Sequence, residues 1–182
     1  THPIDYLFKM VNTFELELNQ DILQEYNILK RLYTAMIPLQ MIIYAPPTVA
    51  GWKAYYQAPQ FYKIWINSVS LPLRMHYSDA LAEGYDVSEF QVKLNVLDFV
   101  ASLDNPADPD DLITEIASIL FAQPLVQEQV DSLKDCHGIM NPEWQDEYLD
   151  YRTGNVSIEP AIKNKLKGLV KTMLKMPEVY LM

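Results

Sequence analysis

The sequence predicts an all-α protein, an irregular multi-helix bundle interrupted by one long ordered loop rich in aromatic residues and proline. Three observations carry that prediction. Apolar residues recur mainly three and four positions apart, and Pro, Asn and Gly stand where helices should begin or end. Glycine is also scarce, five in 182 residues, well under the usual share of ~7%. The length fits one helical domain spanning residues 1–182 and suffices for a core without disulfides or structural metals.

The elements follow in order. Ile4, Leu7, Phe8, Val11 and Leu18 line one face of a first helix after Pro3, with Asn19 at its end. Ile22, Tyr26, Leu29, Tyr33, Met36 and Ile37 form a single stripe on a second helix that stops near Pro38, and such a stripe is expected to be buried. Residues 44–59 lack helical periodicity and hold Pro46, Pro47, Gly51 and Pro59, which predicts the ordered loop. Gln60 to about Ala82 returns to helix, with a break or kink expected at Pro72 and an end at Glu83, Gly84 and Tyr85. Val92, Leu94 and Val96 alternate with polar residues, a pattern that admits a short extended segment near residues 90–96.

In the second half, Asp108 and Pro109 read as the cap and first turn of a helix whose buried face is Leu112, Ile113, Ile116, Ile119 and Leu120. A further helix runs from Val126 to Lys134 and closes at Gly138. The next sets Trp144, Tyr148 and Tyr151 against an acidic face of Glu143, Asp146, Glu147 and Asp150, and ends at Gly154. The last helix turns Ile162, Leu166, Leu169, Met173 and Leu174 inward and Lys163, Lys167, Lys171 and Lys175 outward.

Charge and composition exclude several functions. With 14 basic and 24 acidic side chains, the net charge of −10 disfavours nucleic acid, whose phosphates call for clustered Lys and Arg. The most apolar stretch, Ala35 to Ala50, is broken by Pro38, Gln40, Pro46 and Pro47 and is no membrane span. A single cysteine, Cys136, excludes an internal disulfide and a multi-cysteine zinc site. No glycine-rich phosphate loop, nucleophile turn or paired-histidine metal motif occurs, so neither cofactor nor metal is expected. Cys136 beside His137, and His76 with Ser78 and Asp79, contain catalytic residue types but no catalytic spacing. The acidic run from Asp104 to Asp111 lacks the alternation and central Gly of a calcium loop and reads as a helix cap.

One local anomaly remains. Trp52, Tyr55, Tyr56, Phe61, Tyr62 and Trp65 place six aromatic rings in fourteen residues, followed by Arg74. Rings with polar tips form platforms for sugars, peptides or proteins when exposed, and anchor a loop to its core when buried. Trp52, Tyr55, Tyr56, Tyr62, Trp65 and Arg74 are therefore the candidate ligand- or partner-binding residues, while no catalytic residue can be assigned.

The same stretch carries a family resemblance. Pro46-Pro47-Thr48-Val49-Ala50-Gly51-Trp52, then Trp65-Ile66-Asn67-Ser68, Leu71 and Arg74, resembles the signature of a large bacterial family catalogued as a domain of unknown function, number eighteen hundred. Asn105-Pro106, Asp108-Pro109, Leu112-Ile113, Leu133-Lys134 and the ending from Met173 to Met182 are similar to the C-terminal part of Bacteroidetes-type members. The resemblance implies a mainly helical C-terminal fragment of a longer, exported protein, encoded beside another exported protein. It supplies no reaction and no catalytic residue. Two expectations follow: a helical interaction or assembly domain that meets the N-terminal portion or a neighbouring exported protein, or part of a hydrolase or carbohydrate-binding protein whose site is completed elsewhere.

Overall fold

A computed structural model describes residues 2–16, 22–46, 49, 51, 66–87 and 90–180. The chain folds as two compact units, Thr1–Leu94 and Asn95–Met182.

In the first unit, helix α1 (Pro3–Phe14) starts where Pro3, which has no amide proton to leave unpaired, occupies the first turn. Its buried face is Tyr6, Leu7, Met10 and Phe14. Of the expected face, Leu7 is buried, Ile4, Phe8 and Val11 are only half-buried, and Leu18 and the expected end at Asn19 lie outside the described residues. Helix α2 (Ile22–Met36) ends just before Pro38, as expected. It packs on α1, and its Gln24, Ile28, Leu32 and Met36, which recur every four residues, are all buried.

The predicted α2 stripe is thus corrected in all but Met36. Ile22, Tyr26, Leu29, Tyr33 and Ile37 are exposed at 83%, 59%, 51%, 43% and 47%. Three-and-four spacing shows that a helix face is apolar; it does not say what that face meets.

Helix α3 (Ser70–Glu83) begins later than the sequence predicts, and its expected residues 60–65 lie outside the described chain. Its start is set by Asn67, whose side-chain oxygen accepts the Val69 and Ser70 amides at 2.9 Å, while the Ser70 hydroxyl accepts the Asn67 amide at 3.1 Å. Pro72 falls in this first turn, where a missing amide proton costs nothing, so the expected kink is absent. Gly84 closes the helix at φ +91°. Strands β1 (Tyr85–Val87) and β2 (Phe90–Val92) then pair antiparallel, with Tyr85 opposite Val92 and Val87 opposite Phe90. The extended segment expected near residues 90–96 is this second strand, after which Leu94 bridges to Leu16 and donates its amide to Leu81.

The second unit holds α4 (Val96–Ala101), α5 (Pro109–Leu120), α6 (Gln127–His137), α7 (Glu143–Arg152), a 3-10 turn (Val156–Ile158), α8 (Glu159–Lys175) and α9 (Pro177–Tyr180). Asp108 caps α5 as predicted, its carboxylate accepting the amides of Asp110 at 2.9 Å and Asp111 at 3.1 Å. Leu112, Ile113, Ile116 and Leu120 are buried, whereas Ile119, assigned to the same face by spacing, is 38% exposed. Trp144 is fully buried, stacks on Tyr148 and donates its indole N–H to the Pro106 carbonyl at 3.0 Å, which ties α7 to the turn before α5. Gly138 closes α6 in the left-handed conformation at φ +61°. The fold is all-α with one small hairpin, in agreement with the sequence.

Replacing Asp108 by Ala orphans two amides at the start of α5. The expected loss is about 1 kcal/mol, read as a drop of about 2–4 °C in the thermal midpoint by circular dichroism.

Candidate functional site

Five of the six candidate residues, Trp52, Tyr55, Tyr56, Tyr62 and Trp65, lie outside the described residues, as does Phe61. Gly51, at the end of the Pro-Pro signature, holds φ +89°, a backbone conformation that favours glycine. Arg74, the sixth candidate, is fully buried on α3. Its guanidinium lies 5.5 Å from the centre of the Tyr6 ring, and the Tyr6 hydroxyl reaches the Arg74 carbonyl at 3.5 Å. A cation held against an aromatic face inside the core joins α1 to α3 and presents no head group to solvent.

The catalytic residue types do not converge. Ser78 is buried with its hydroxyl donating to the Met75 carbonyl on the same helix, while His76 is exposed beside Tyr77. Cys136 is exposed; His137, next in sequence, turns into the α6–α8 contact, with Nε2 2.9 Å from the Thr172 hydroxyl. A Cβ on Gly168 would come within 2.8 Å of His137 Nδ1, so glycine at that point of α8 makes room for the imidazole. No group of three or more His, Cys, Asp or Glu capable of holding a metal occurs among the described residues. The acidic run is spent locally: Asp108 caps α5, Asn105 donates to Asp111, and Asp110 joins Asp131 in gripping Lys134. The Lys134 ammonium holds both carboxyls below the usual range, and they raise the Lys134 pKa in return.

The structure instead brings together two features around α2. The first is its outward apolar row, Ile22, Tyr26, Leu29 and Tyr33, spaced four, three and four residues apart and flanked by Glu25 on one side and Lys30 on the other. The second is a cleft of 530 Å³ between α1, α2, the turn after α2, and α3. Leu7, Leu32 and Leu81 form its buried floor, and Arg31, Thr34, His76 and Tyr77 supply its polar rim. Arg31 follows Leu29 by two residues and precedes Tyr33 by two, which on a helix turns it ~160° from both. The row and the cleft therefore occupy opposite flanks of one helix. The spacing of the row was legible in sequence; its exposure was not. The cleft left no sequence signal, because its lining comes from three separate elements.

Burial lowers the His137 pKa and so favours the neutral ring in the folded state. The unfolded chain takes up this proton first as pH falls, below about 6.5. The stability His137 supports is therefore complete above that value and is lost as pH falls through its lower folded value. The urea midpoint of the protein should decline as pH falls below about 6.5, and His137→Gln should flatten that decline. An unchanged slope in the variant would assign it to other groups. The Asp110 and Asp131 contributions vanish only at more acidic pH, since their folded pKa values are depressed.

No helix among the described residues is long and apolar enough to cross a membrane. No curated protein and no solved structure matches the chain. Residues 1–181 match the family described as Protein of unknown function (DUF1800), in keeping with the Pro-Pro-x-Val-x-Gly-Trp signature and the helical architecture, and the chain belongs to that family.

Proposed function

We propose that this is a helical interaction and assembly domain of an exported bacterial protein, and that its docking face is the outward row of α2. The observation that carries the reading is the exposure of Ile22, Tyr26, Leu29 and Tyr33 at the spacing of a coiled-coil seam. Export rests on the family resemblance, in which members accompany a second exported protein.

The occupant of the seam is a second copy of this chain. With Tyr26 and Tyr33 at the a positions and Ile22 and Leu29 at d, Glu25 falls at g and Lys30 at the following e. Two parallel copies then set Glu25 of each against Lys30 of the other, whereas antiparallel copies oppose like positions, where e holds Leu23, Lys30 and Ile37. Lys30 makes no ion pair with a described residue and is available for that partner. The helix is already formed by its own unit, so pairing does not bear the nucleation cost of a short isolated helix. With two phenols in the seam and only two heptads of contact, the association is weak, with a dissociation constant on the order of 10 µM.

Sedimentation velocity across a concentration series tests this. The expected result is a monomer–dimer equilibrium, abolished by Leu29→Lys, weakened by Glu25→Lys alone and restored in Glu25→Lys with Lys30→Glu. A chain monomeric at all concentrations overturns the reading and returns attention to the N-terminal portion or a neighbouring exported protein as partner. The hydrolase and carbohydrate readings rest on Trp52 to Trp65, and no described residue favours them.

A further inference from the structure

We infer that the cleft between α1, α2 and α3 is a binding site for a small amphipathic monocarboxylate, its apolar body on the leucine floor and its carboxylate at Arg31. The inference is independent of the docking face, which lies on the other flank of α2.

The size is that of a small-molecule site. Such sites span ~300–1,000 Å³, are mostly apolar and carry a few convergent polar groups, and this cleft measures 530 Å³. Its floor of Leu7, Leu32 and Leu81 offers hydrogen bonds to nothing, which excludes a ligand polar throughout, such as a sugar.

The rim selects the head group by charge. The chain carries 24 acidic side chains, yet no Asp or Glu is among the described residues that line the cleft. Among the described lining residues the one permanent charge is Arg31, an exposed guanidinium that makes no ion pair with a described residue. One cation with no carboxylate among the described lining residues fits one negative charge, and the guanidinium fork matches a carboxylate in two-bond geometry. The Tyr77 hydroxyl stands on the same rim, and burial raises its pKa, keeping it a proton donor at neutral pH. Thr34 spends its hydroxyl proton on the Lys30 carbonyl at 2.7 Å, so the donors facing a ligand are Arg31, Tyr77 and His76.

The probe is 11-(dansylamino)undecanoic acid, titrated against the full chain by fluorescence, with its methyl ester as the uncharged control. Saturable one-to-one binding of the acid, with the ester weaker, is expected. Arg31→Gln should weaken the acid about tenfold and leave the ester unchanged, as expected for a charge-assisted contact. Thr34→Trp, at an exposed position on the rim, should block both probes, with circular dichroism verifying the fold. Leu29→Lys should bind like the parent, separating this site from the docking face. Failure of the acid to saturate overturns the proposal. So does equal binding of acid and ester that Arg31→Gln leaves unchanged, or blockage by Leu29→Lys but not by Thr34→Trp.

Discussion

The second unit depends on the buried face of α8. Ile162, Leu166, Leu169, Val170, Met173 and Leu174 are all 0–1% exposed, and the helix bearing them touches α4, α5, α6, α7 and α9. One helix thereby serves as the common wall of its unit. Removing a branched side chain from such a wall costs about 2–5 kcal/mol, since the lining cannot collapse from several directions at once. The polar contacts along α8 are arranged around the same constraint. Gly168 leaves the space that His137 fills, Lys165 reaches Glu147 on α7, and the Leu174 carbonyl accepts the Tyr180 hydroxyl that folds α9 back. None of these polar contacts is strong alone. Their effect is to fix which neighbour meets which turn of a helix already held by its apolar side.

The first unit is built on the opposite principle. Its α2 buries a narrow row at four-residue spacing and leaves a second apolar row outward. A helix that only closed its own core would carry polar residues there. Exposed apolar side chains gain nothing for the isolated fold, and the contiguous row of them on α2 is the observation behind the proposed docking face. The buried Gln24 belongs to the same reversal: a polar side chain sits inside while Ile22 and Leu23 sit outside. The partition of α2 between core and surface is therefore not a partition by hydrophobicity.

That reversal also shows how much was legible in the sequence. The order of the four longer helices of the second unit, α5 to α8, followed from caps and spacing, because Asp108, Gly138 and Gly154 act through local backbone chemistry that needs no knowledge of neighbours, whereas the short α4 and α9 were not read. The inward face of α8 was read correctly in five residues, and Val170, buried beside them, was missed. On α1 and α2, however, apolar residues surround most of the helix, and periodicity cannot choose between two apolar faces when each satisfies the same spacing. The Pro72 kink failed for a related reason: proline is disruptive inside a helix and harmless in its first turn, and only the Asn67–Ser70 cap decides which applies. Arg74 was drawn toward the site by its sequence distance from Trp65. The core contact that holds it, Tyr6, is 68 positions away and has no local signature.

The distribution of charge distinguishes the two surfaces of α2 more sharply than hydrophobicity does. At the docking face, Glu25 and Lys30 stand on opposite borders of an apolar seam, a neutral arrangement suited to meeting its own image with ends aligned. At the cleft, a cation stands over an apolar floor with no carboxylate among the described lining residues, although acidic side chains outnumber basic ones by ten. An apolar surface bordered by both signs gains specificity by pairing each charge with its opposite on a partner. An apolar hollow bordered by one sign leaves that charge uncompensated until a ligand brings the counter-charge, and the low-dielectric floor strengthens the attraction when it does. The two proposals thus rest on different charge patterns on the two sides of one helix. A 160° turn, the separation of residues two apart on an α-helix, is about as far apart as a single helix can place them.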